Sequence, residues 1–190
     1  MSSELPASIE APWTCDIKER ARAVRLVALD VDGVLTDGSL RYTAAPHLDG
    51  DKVFNVRDGL GLRLLIDQGI EVALITGRRS PAVDRRAREL GIAHVIQGRD
   101  DKRVALEELL GMRGFGHHQA LYCGDDLPDL GAIMAAGIGV TVADAPEVIR
   151  ARADYVTRAP GGRGAVRELC EHLLVATGAW HALIARFEKS

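Results

Sequence analysis

Short aliphatic runs that end abruptly in a polar residue alternate along this chain with stretches whose apolar positions recur every three or four residues. The runs cover residues 26–29, 70–75, 121–123 and 139–143. A strand with one wet face would alternate, so unbroken aliphatic runs predict parallel strands covered on both faces. Residues 94–96 and 155–156 read as shorter strands. Between the runs, Asp58 reads as the cap of a helix through Gln68 that Gly69 ends, and Ser80-Pro81 as the cap and first residue of a basic helix ending at Gly91. Asp100 opens a further helix with Lys102 in its first turn; others run to Ala136, over 146–152, and from the glycines at 161–164 to about Ala176. This cadence predicts a three-layer α/β/α Rossmann-like sandwich with a mostly parallel sheet.

Two stretches depart from the cadence. Residues 40–44 and 52–56 flank an Asp49-Gly50 reversal, which predicts a β-hairpin inserted after the first strand. Its outer edges are unpaired, so it either lids a site or pairs with another subunit. Residues 1–16 read as a loose arm and 17–24 as a short amphipathic helix. The expected division is therefore an N-terminal arm and helix over 1–23, one domain over 24–176 and a C-terminal tail over 177–190, with no insertion long enough for a cap domain.

A chain of 190 residues suffices for one well-cored domain and falls short of two. Its 24 basic and 27 acidic side chains give a net charge of −3, which provides no broad field for nucleic acid or an anionic membrane. A small-molecule partner is expected. Cys15, Cys123 and Cys170 are odd in number and widely spaced, which supports neither a disulfide framework nor a zinc cluster and fits a reducing compartment. The N-terminus lacks a basic segment leading into an apolar one, and no run is long enough to span a bilayer, so a soluble, unprocessed, cytoplasmic protein is expected.

The polar ends of the runs carry the candidate chemistry. Residues two apart on a pleated strand face the same way, so Asp30 and Asp32 can address one target, and Gly33 lets the chain bend away. Neighbouring acids resist joint ionisation unless a cation neutralises them or one keeps a proton. One carboxylate can then attack or bind metal while the other shuttles a proton. Thr76 ends the second run, Asp125 and Asp126 follow the third, and the carboxyl ends of parallel strands all lie on one edge. Acids gathered with Lys102 and Thr76 make a divalent-metal and phosphate site, and oxygen-only ligands suit magnesium better than zinc. A phosphate ester approaching Asp30 costs on the order of 4 kcal/mol per unit charge pair at about 4 Å, which the metal and Lys102 must offset. Thr76 and the amides around Gly77 can hold phosphoryl oxygens.

Together, Asp30-Val31-Asp32-Gly33-Val34-Leu35-Thr36-Asp37, Thr76-Gly77, Lys102 and Gly124-Asp125-Asp126 resemble the four motifs of the haloacid dehalogenase-like phosphohydrolases. The resemblance implies that Asp30 is the nucleophile that becomes an aspartyl phosphate, and that Asp32 protonates the leaving oxygen and then activates water. It implies Mg2+ on the Asp30 carboxylate, the Asp32 backbone carbonyl and Asp125, with Asp126 or Asp129 behind them. Asn55-Val56-Arg57-Asp58-Gly59, Thr76-Gly77-Arg78, Tyr155-Val156-Thr157-Arg158 and residues 161–168 narrow it to the capless family of 3-deoxy-D-manno-octulosonate 8-phosphate phosphatases, over about residues 24–174. That family implies hydrolysis of a phosphorylated sugar acid in lipopolysaccharide biosynthesis. It further implies a homotetramer whose hairpins assemble at the centre and in which a neighbour's tail helps close each site. The implied substrate contacts are Asp32, Asn55, Val56, Arg57, Asp58, Gly59, Arg63, Thr76, Gly77, Arg78, Arg86 and Lys102.

Arginines also suit such a substrate on chemical grounds, since a guanidinium grips a carboxylate with two bonds. Arg86, however, lies on a basic helix that reads equally as a solvated face, and Arg63 equally suits a surface role. Arg163, between glycines, reads as part of a mobile stretch that is either solvated or in contact with a neighbouring subunit's site. His117 and His118 have no acidic neighbour at ligand spacing and read as surface residues, Cys123 as core. Three alternatives stay open: a nonulosonate 9-phosphate phosphatase using the same chemistry, a non-catalytic assembly module of the same fold, and a receiver-type phosphoswitch. The retained acids and lysine argue against the module, and the acid two residues after Asp30 argues against the switch.

Overall fold

The computed structural model describes residues 13–41 and 52–189. Among these residues, six strands form one sheet: β1 (Leu26–Leu29), β2 (Glu71–Thr76), β3 (His94–Gln97), β4 (Ala120–Gly124), β5 (Ile138–Thr141) and β6 (Tyr155–Val156). They lie in the order β3-β2-β1-β4-β5-β6, and every pairing is parallel. The order reverses direction between β1 and β4, the crevice where open α/β sheets bind their ligands. Leu29 pairs with Leu74 on one side and Cys123 on the other, so Asp30 leaves β1 level with the ends of both neighbours. All four β1 residues are buried, as their unbroken aliphatic pattern requires.

The helices are α1 (Cys15–Ala21), α2 (Val56–Asp67), α3 (Pro81–Leu90), α4 (Lys102–Arg113), α5 (Leu127–Ala135), α6 (Glu147–Arg150), α7 (Ala165–Ala176) and α8 (Trp180–Phe187). One packed group contains α1, α2, α3, α7 and α8; α4 and α5 pack on each other. Leucines 62, 64 and 65 of α2 and Leu169, Leu173 and Leu174 of α7 belong to one continuous core. The α3 boundaries follow the sequence reading, with Ser80 in extended conformation before Pro81 and Gly91 left-handed at the far end.

Several expectations change. Asn55, not Asp58, caps α2: its side chain accepts from the Arg57 amide at 2.8 Å. Asp58 instead sits buried in the first turn and accepts from the Arg167 amide of α7 at 2.7 Å, capping a different helix. Asp101, not Asp100, precedes α4. The arm does not stay loose as far as residue 16, because Trp13 is buried in edge contact with Tyr155 and close to His172. Nor are residues 177–190 only a tail: α8 buries Trp180 and Leu183 on the common core, with the Arg167 guanidinium 5.8 Å from the Trp180 ring. The core therefore crosses both expected domain boundaries. The turn of the expected β-hairpin and most of its first strand fall on residues 42–51, outside the described residues; Leu40, Arg41 and Lys52–Asn55 on either side are irregular.

Candidate active site

The ends of three strands, β1, β2 and β4, and the starts of two helices, α4 and α5, meet at the reversal point. A cavity of about 450 Å³, within the range of small-molecule sites, is lined there by Asp30, Asp32, Thr76, Gly77, Arg78, Asp100, Lys102, Asp125, Asp126 and Asp129, with Gly38, Leu40 and Pro128 at its margin. The acidic turn after β1 is held by its own backbone: the Val31 carbonyl accepts from the amides of Leu35 and Thr36, both at 3.0 Å. Gly33 takes φ +92°, and a Cβ there would lie 2.0 Å from Asp125 Oδ2, so only glycine lets the two acidic segments approach.

Lys102 opens α4, where the helix dipole disfavours a cation, and the structure shows what compensates. Its side chain is 5% exposed, and Nζ lies 2.8 Å from both Asp30 Oδ2 and Asp129 Oδ1. Burial lowers the affinity of this lysine for its proton, but the two carboxylates outweigh it and the pKa is raised. Asp129, also deeply buried, is saturated with donors. Its Oδ1 accepts from Lys102 and, at 2.7 Å, from the Tyr122 hydroxyl; its Oδ2 accepts from the amides of Asp125 and Asp126, each at 3.2 Å.

The other acids are under-compensated. Burial, then Asp129, pushes the Asp30 carboxyl up to about 6 against the pull of Lys102, and its Oδ1 is buried without a hydrogen-bond partner among the described residues. Burial, then Asp30 and Asp129, pushes Asp125 up to about 8. Carboxylates in this condition call for a cation. Ligand oxygens of Asp30, Asp125 and Asp129 lie within 4.8 Å of one another. Because both Asp129 oxygens already accept two hydrogen bonds, Asp30 and Asp125 are the pair left to face a metal. The all-oxygen set, free of Cys and His, fits a hard ion such as magnesium.

Asp32 points one oxygen, Oδ1, at the ammonium of Lys52 in a close ion pair; Oδ2 is screened from solvent without a hydrogen-bond partner among the described residues, with Arg78 Nε 3.8 Å away. Thr76 is buried at the end of β2, and the Gly77 Cα approaches Asp100 so closely that a Cβ would lie 2.3 Å from its carboxylate. Asp126 caps α5 from the rim, accepting from the Leu127 amide at 2.8 Å.

The remaining expected site residues lie elsewhere. Asn55, Val56, Arg57, Asp58, Gly59, Arg63 and Arg86 do not line the cavity in this chain. Arg86 donates to the Asn55 carbonyl at 3.1 Å and stands 5.8 Å from the Phe54 ring, and Gly59 leaves the space that its guanidinium occupies. Arg63 borders a shallow depression with Arg88 and Glu89, away from the acids. The glycine stretch carrying Arg163 is not loose: Gly161 is buried and the Gly162 amide donates to the Val34 carbonyl at 2.9 Å. Arg163 itself is exposed, 3.8 Å from Asp37. Tyr122, Lys52 and Asp100 were missed by the sequence reading. A lone Tyr in the aliphatic run before Cys123 was a signal for the first; Lys52 and Asp100, each beside turn residues, offered none.

A model of the haloacid dehalogenase-like hydrolases matches residues 91–169. The 3-deoxy-D-manno-octulosonate 8-phosphate phosphatase of Escherichia coli strain B is 45% identical over 172 residues, covering 90% of each chain. That of Yersinia pestis is 47% identical over 165 residues, 87% of each. A crystal structure of the Moraxella catarrhalis enzyme in complex with a magnesium ion, a phosphate ion and KDO superposes with a TM-score of 0.88 at 48% identity, covering 90% of this chain and 98% of that one. With identity at this level over nearly the full length of each relative, and with the same sheet beneath it, the chain belongs to the 3-deoxy-D-manno-octulosonate 8-phosphate phosphatase family of the haloacid dehalogenase-like hydrolases.

Proposed function

We propose that this chain is a magnesium-dependent phosphatase that hydrolyses 3-deoxy-D-manno-octulosonate 8-phosphate to the free sugar acid and phosphate, a step of lipopolysaccharide biosynthesis. The observation that carries the reading is the buried Lys102 bridging Asp30 and Asp129 beside the under-compensated Asp125. This is a fixed positive charge next to a carboxylate one of whose oxygens has no hydrogen-bond partner among the described residues.

Asp30 and Asp125, with the Asp32 backbone carbonyl that the family resemblance implies, would hold Mg2+. When bound, the ion neutralises the acids and the incoming phosphate, so that Asp30 stays ionised beside a dianion. Lys102 orients Asp30 through Oδ2. An oxygen of Asp30 forms a bond to phosphorus as the bond from phosphorus to the sugar oxygen breaks, and that oxygen takes a proton from the Asp32 carboxyl. Water then gives a proton back to Asp32 as its oxygen attacks phosphorus, the aspartyl phosphate breaks, and phosphate leaves. Thr76 and Gly77 border the cavity where phosphoryl oxygens would sit, and Arg78 stands at its rim, beside Asp32 but more than half exposed, where its guanidinium would grip the substrate carboxylate. Asp126 and Asp129 act behind these groups: Asp129 fixes Lys102 and the Asp125 backbone.

A homotetramer fits two observations. Leu40, Val53, Val56 and Leu60 are exposed apolar side chains, Val56 to 81%, on or beside the segments that lead into and out of residues 42–51, and clustered exposure of this kind marks contact surfaces. Val56, Arg57 and Arg63 are exposed and lie outside this chain's own cavity, where a neighbouring subunit's site would account for them, whereas Asp58 and Gly59 are buried within this chain. A cytoplasmic location fits the three free thiols, and no helix among the described residues is long and apolar enough to cross a membrane.

The test is phosphate release from 3-deoxy-D-manno-octulosonate 8-phosphate and from a nonulosonate 9-phosphate, each with and without Mg2+. Preference for the eight-carbon substrate and loss of turnover on chelation are expected, with Asp30→Asn and Asp32→Asn each reducing turnover by at least about 100-fold. Preference for the nine-carbon substrate rejects the assignment, and turnover without a divalent ion rejects the mechanism.

A further inference from the structure

Each of the two acids at the end of β1 is held through one oxygen by a lysine whose side chain is 5% exposed: Asp30 by Lys102 and Asp32 by Lys52. The first lysine belongs to the mechanism above; the second has no part in it. Lysine is among the residues least often buried, because its ammonium loses hydration unless a counter-charge replaces it. Lys52 stands 20 residues from Asp32 in sequence, so the pair is formed by the fold. It is delivered there by a segment tied down just beyond it, where Asn55 caps α2 and Arg86 donates to the Asn55 carbonyl. The neighbouring Val53 is 69% exposed, so the chain turns the charged residue inward and leaves the apolar one in water, the reverse of what burial energetics alone favours.

Resting on the phosphatase reading above, we infer that Lys52 is a positioning residue that orients the Asp32 carboxyl for proton transfer to the leaving sugar oxygen. With Oδ1 occupied by the ammonium, Oδ2 is the oxygen left without a donor among the described residues. The group beside it is Arg78, more than half exposed, which substrate can draw outward onto its own carboxylate. In the substrate complex Asp32 takes up a proton from water on Oδ2 while Oδ1 still accepts from Lys52. As Asp30 bonds to phosphorus and the sugar oxygen departs, that proton passes from Oδ2 to the departing oxygen, and Asp32 remains as a carboxylate held in place by Lys52. In the second half Oδ2 takes a proton from the attacking water, which restores the protonated carboxyl. An unclamped carboxyl could rotate about its side-chain torsions and present neither oxygen reliably.

The experiment compares wild type, Lys52→Met and Lys52→Arg on the sugar acid phosphate, whose alkoxide leaving group needs a proton, and on p-nitrophenyl phosphate, whose phenolate does not. Because kcat/KM reports steps up to formation of the aspartyl phosphate, the second substrate bypasses the proposed role. Lys52→Met is expected to lower kcat/KM for the sugar acid phosphate on the order of 100-fold, through kcat rather than KM, and that for the aryl phosphate by no more than about threefold. Lys52→Arg is expected to recover most of the loss, with thermal unfolding of both variants unchanged. Equal losses on the two substrates, a loss confined to KM, no recovery with Arg, or a loss that tracks unfolding each overturn the role of Lys52 and leave the phosphatase assignment standing. A wild-type protein that releases no phosphate from the sugar acid substrate sinks the assignment first.

Discussion

Asp30 and Asp125 are the residues in which the cost of assembling the site is concentrated. Both hold protons more tightly in the folded protein than the ordinary carboxylate value of 3.8, one at about 6 and the other at about 8. A raised folded-state pKa means that the native state binds more protons than the unfolded one across that interval, so stability falls as pH rises. In the metal-free protein their contribution declines from about pH 4 through about 8, and a bound divalent cation removes the repulsion that causes it. The rise in melting temperature on adding Mg2+ is therefore expected to be larger at pH 8 than at pH 5, a difference in which acids far from the site cancel. An equal shift at the two pH values would separate the metal from these carboxylates. The candidate acids and Thr76 were readable because residue type and strand ending coincide in the sequence, and Lys102 because a cation is out of place in the first turn of a helix. Lys52 was not, since its partner is chosen by a fold contact across 20 residues, nor was the saturation of Asp129, which depends on Lys102 arriving from another helix to join a tyrosine hydroxyl and two amides of the β4–α5 connection.

At the scale of elements, the connections between segments carry as much of the site as the segments do. The loop before α7 wedges against the acidic turn. The Gly161 amide donates to Asp144 at 3.0 Å, the Gly162 carbonyl accepts from the Asn55 side chain at 3.3 Å, and a Cβ on Gly161 would stand 1.7 Å from the Gly33 carbonyl oxygen. Gly161→Ala has no flexible neighbour to push aside, so the turn bearing Asp30 and Asp32 must shift. A displacement of that size at reacting groups is expected to cost about 100-fold in kcat, read by steady-state kinetics, while far-ultraviolet circular dichroism stays native. An unchanged kcat would show that the loop does not set the turn. Asp58 illustrates the same limit from the other side. An acid three residues after Asn55 looks like a local cap, but its carboxylate serves the amide of Arg167 on a helix more than a hundred residues away. Local spacing predicts that a cap exists and cannot say whose helix it caps.

For the whole molecule, the sheet order decides which strand ends converge, and the end of the chain decides how the core is closed. Trp180 and Leu183 of α8 join the same core as Ile17 and Ala21 of α1. Trp180→Ala is expected to destabilise by about 3 kcal/mol in urea unfolding, with kcat unchanged because α8 does not border the cavity. A loss below about 0.5 kcal/mol would make α8 an appendage rather than part of the core. Residues 177–190 read as a tail because a helix of eight residues shows too few turns for its apolar side to stand out from a polar terminus. By itself the sequence determined the alternation of strands and helices, the single-domain scale and the chemical kinds of group at the strand ends, because hydrophobic period and residue type are local properties. Only the tertiary structure decided the order of the strands, which acids face a cation and which are already satisfied, and the pairing of Lys52 with Asp32. Those depend on distances between segments far apart in the chain, and on how much water is excluded where they meet.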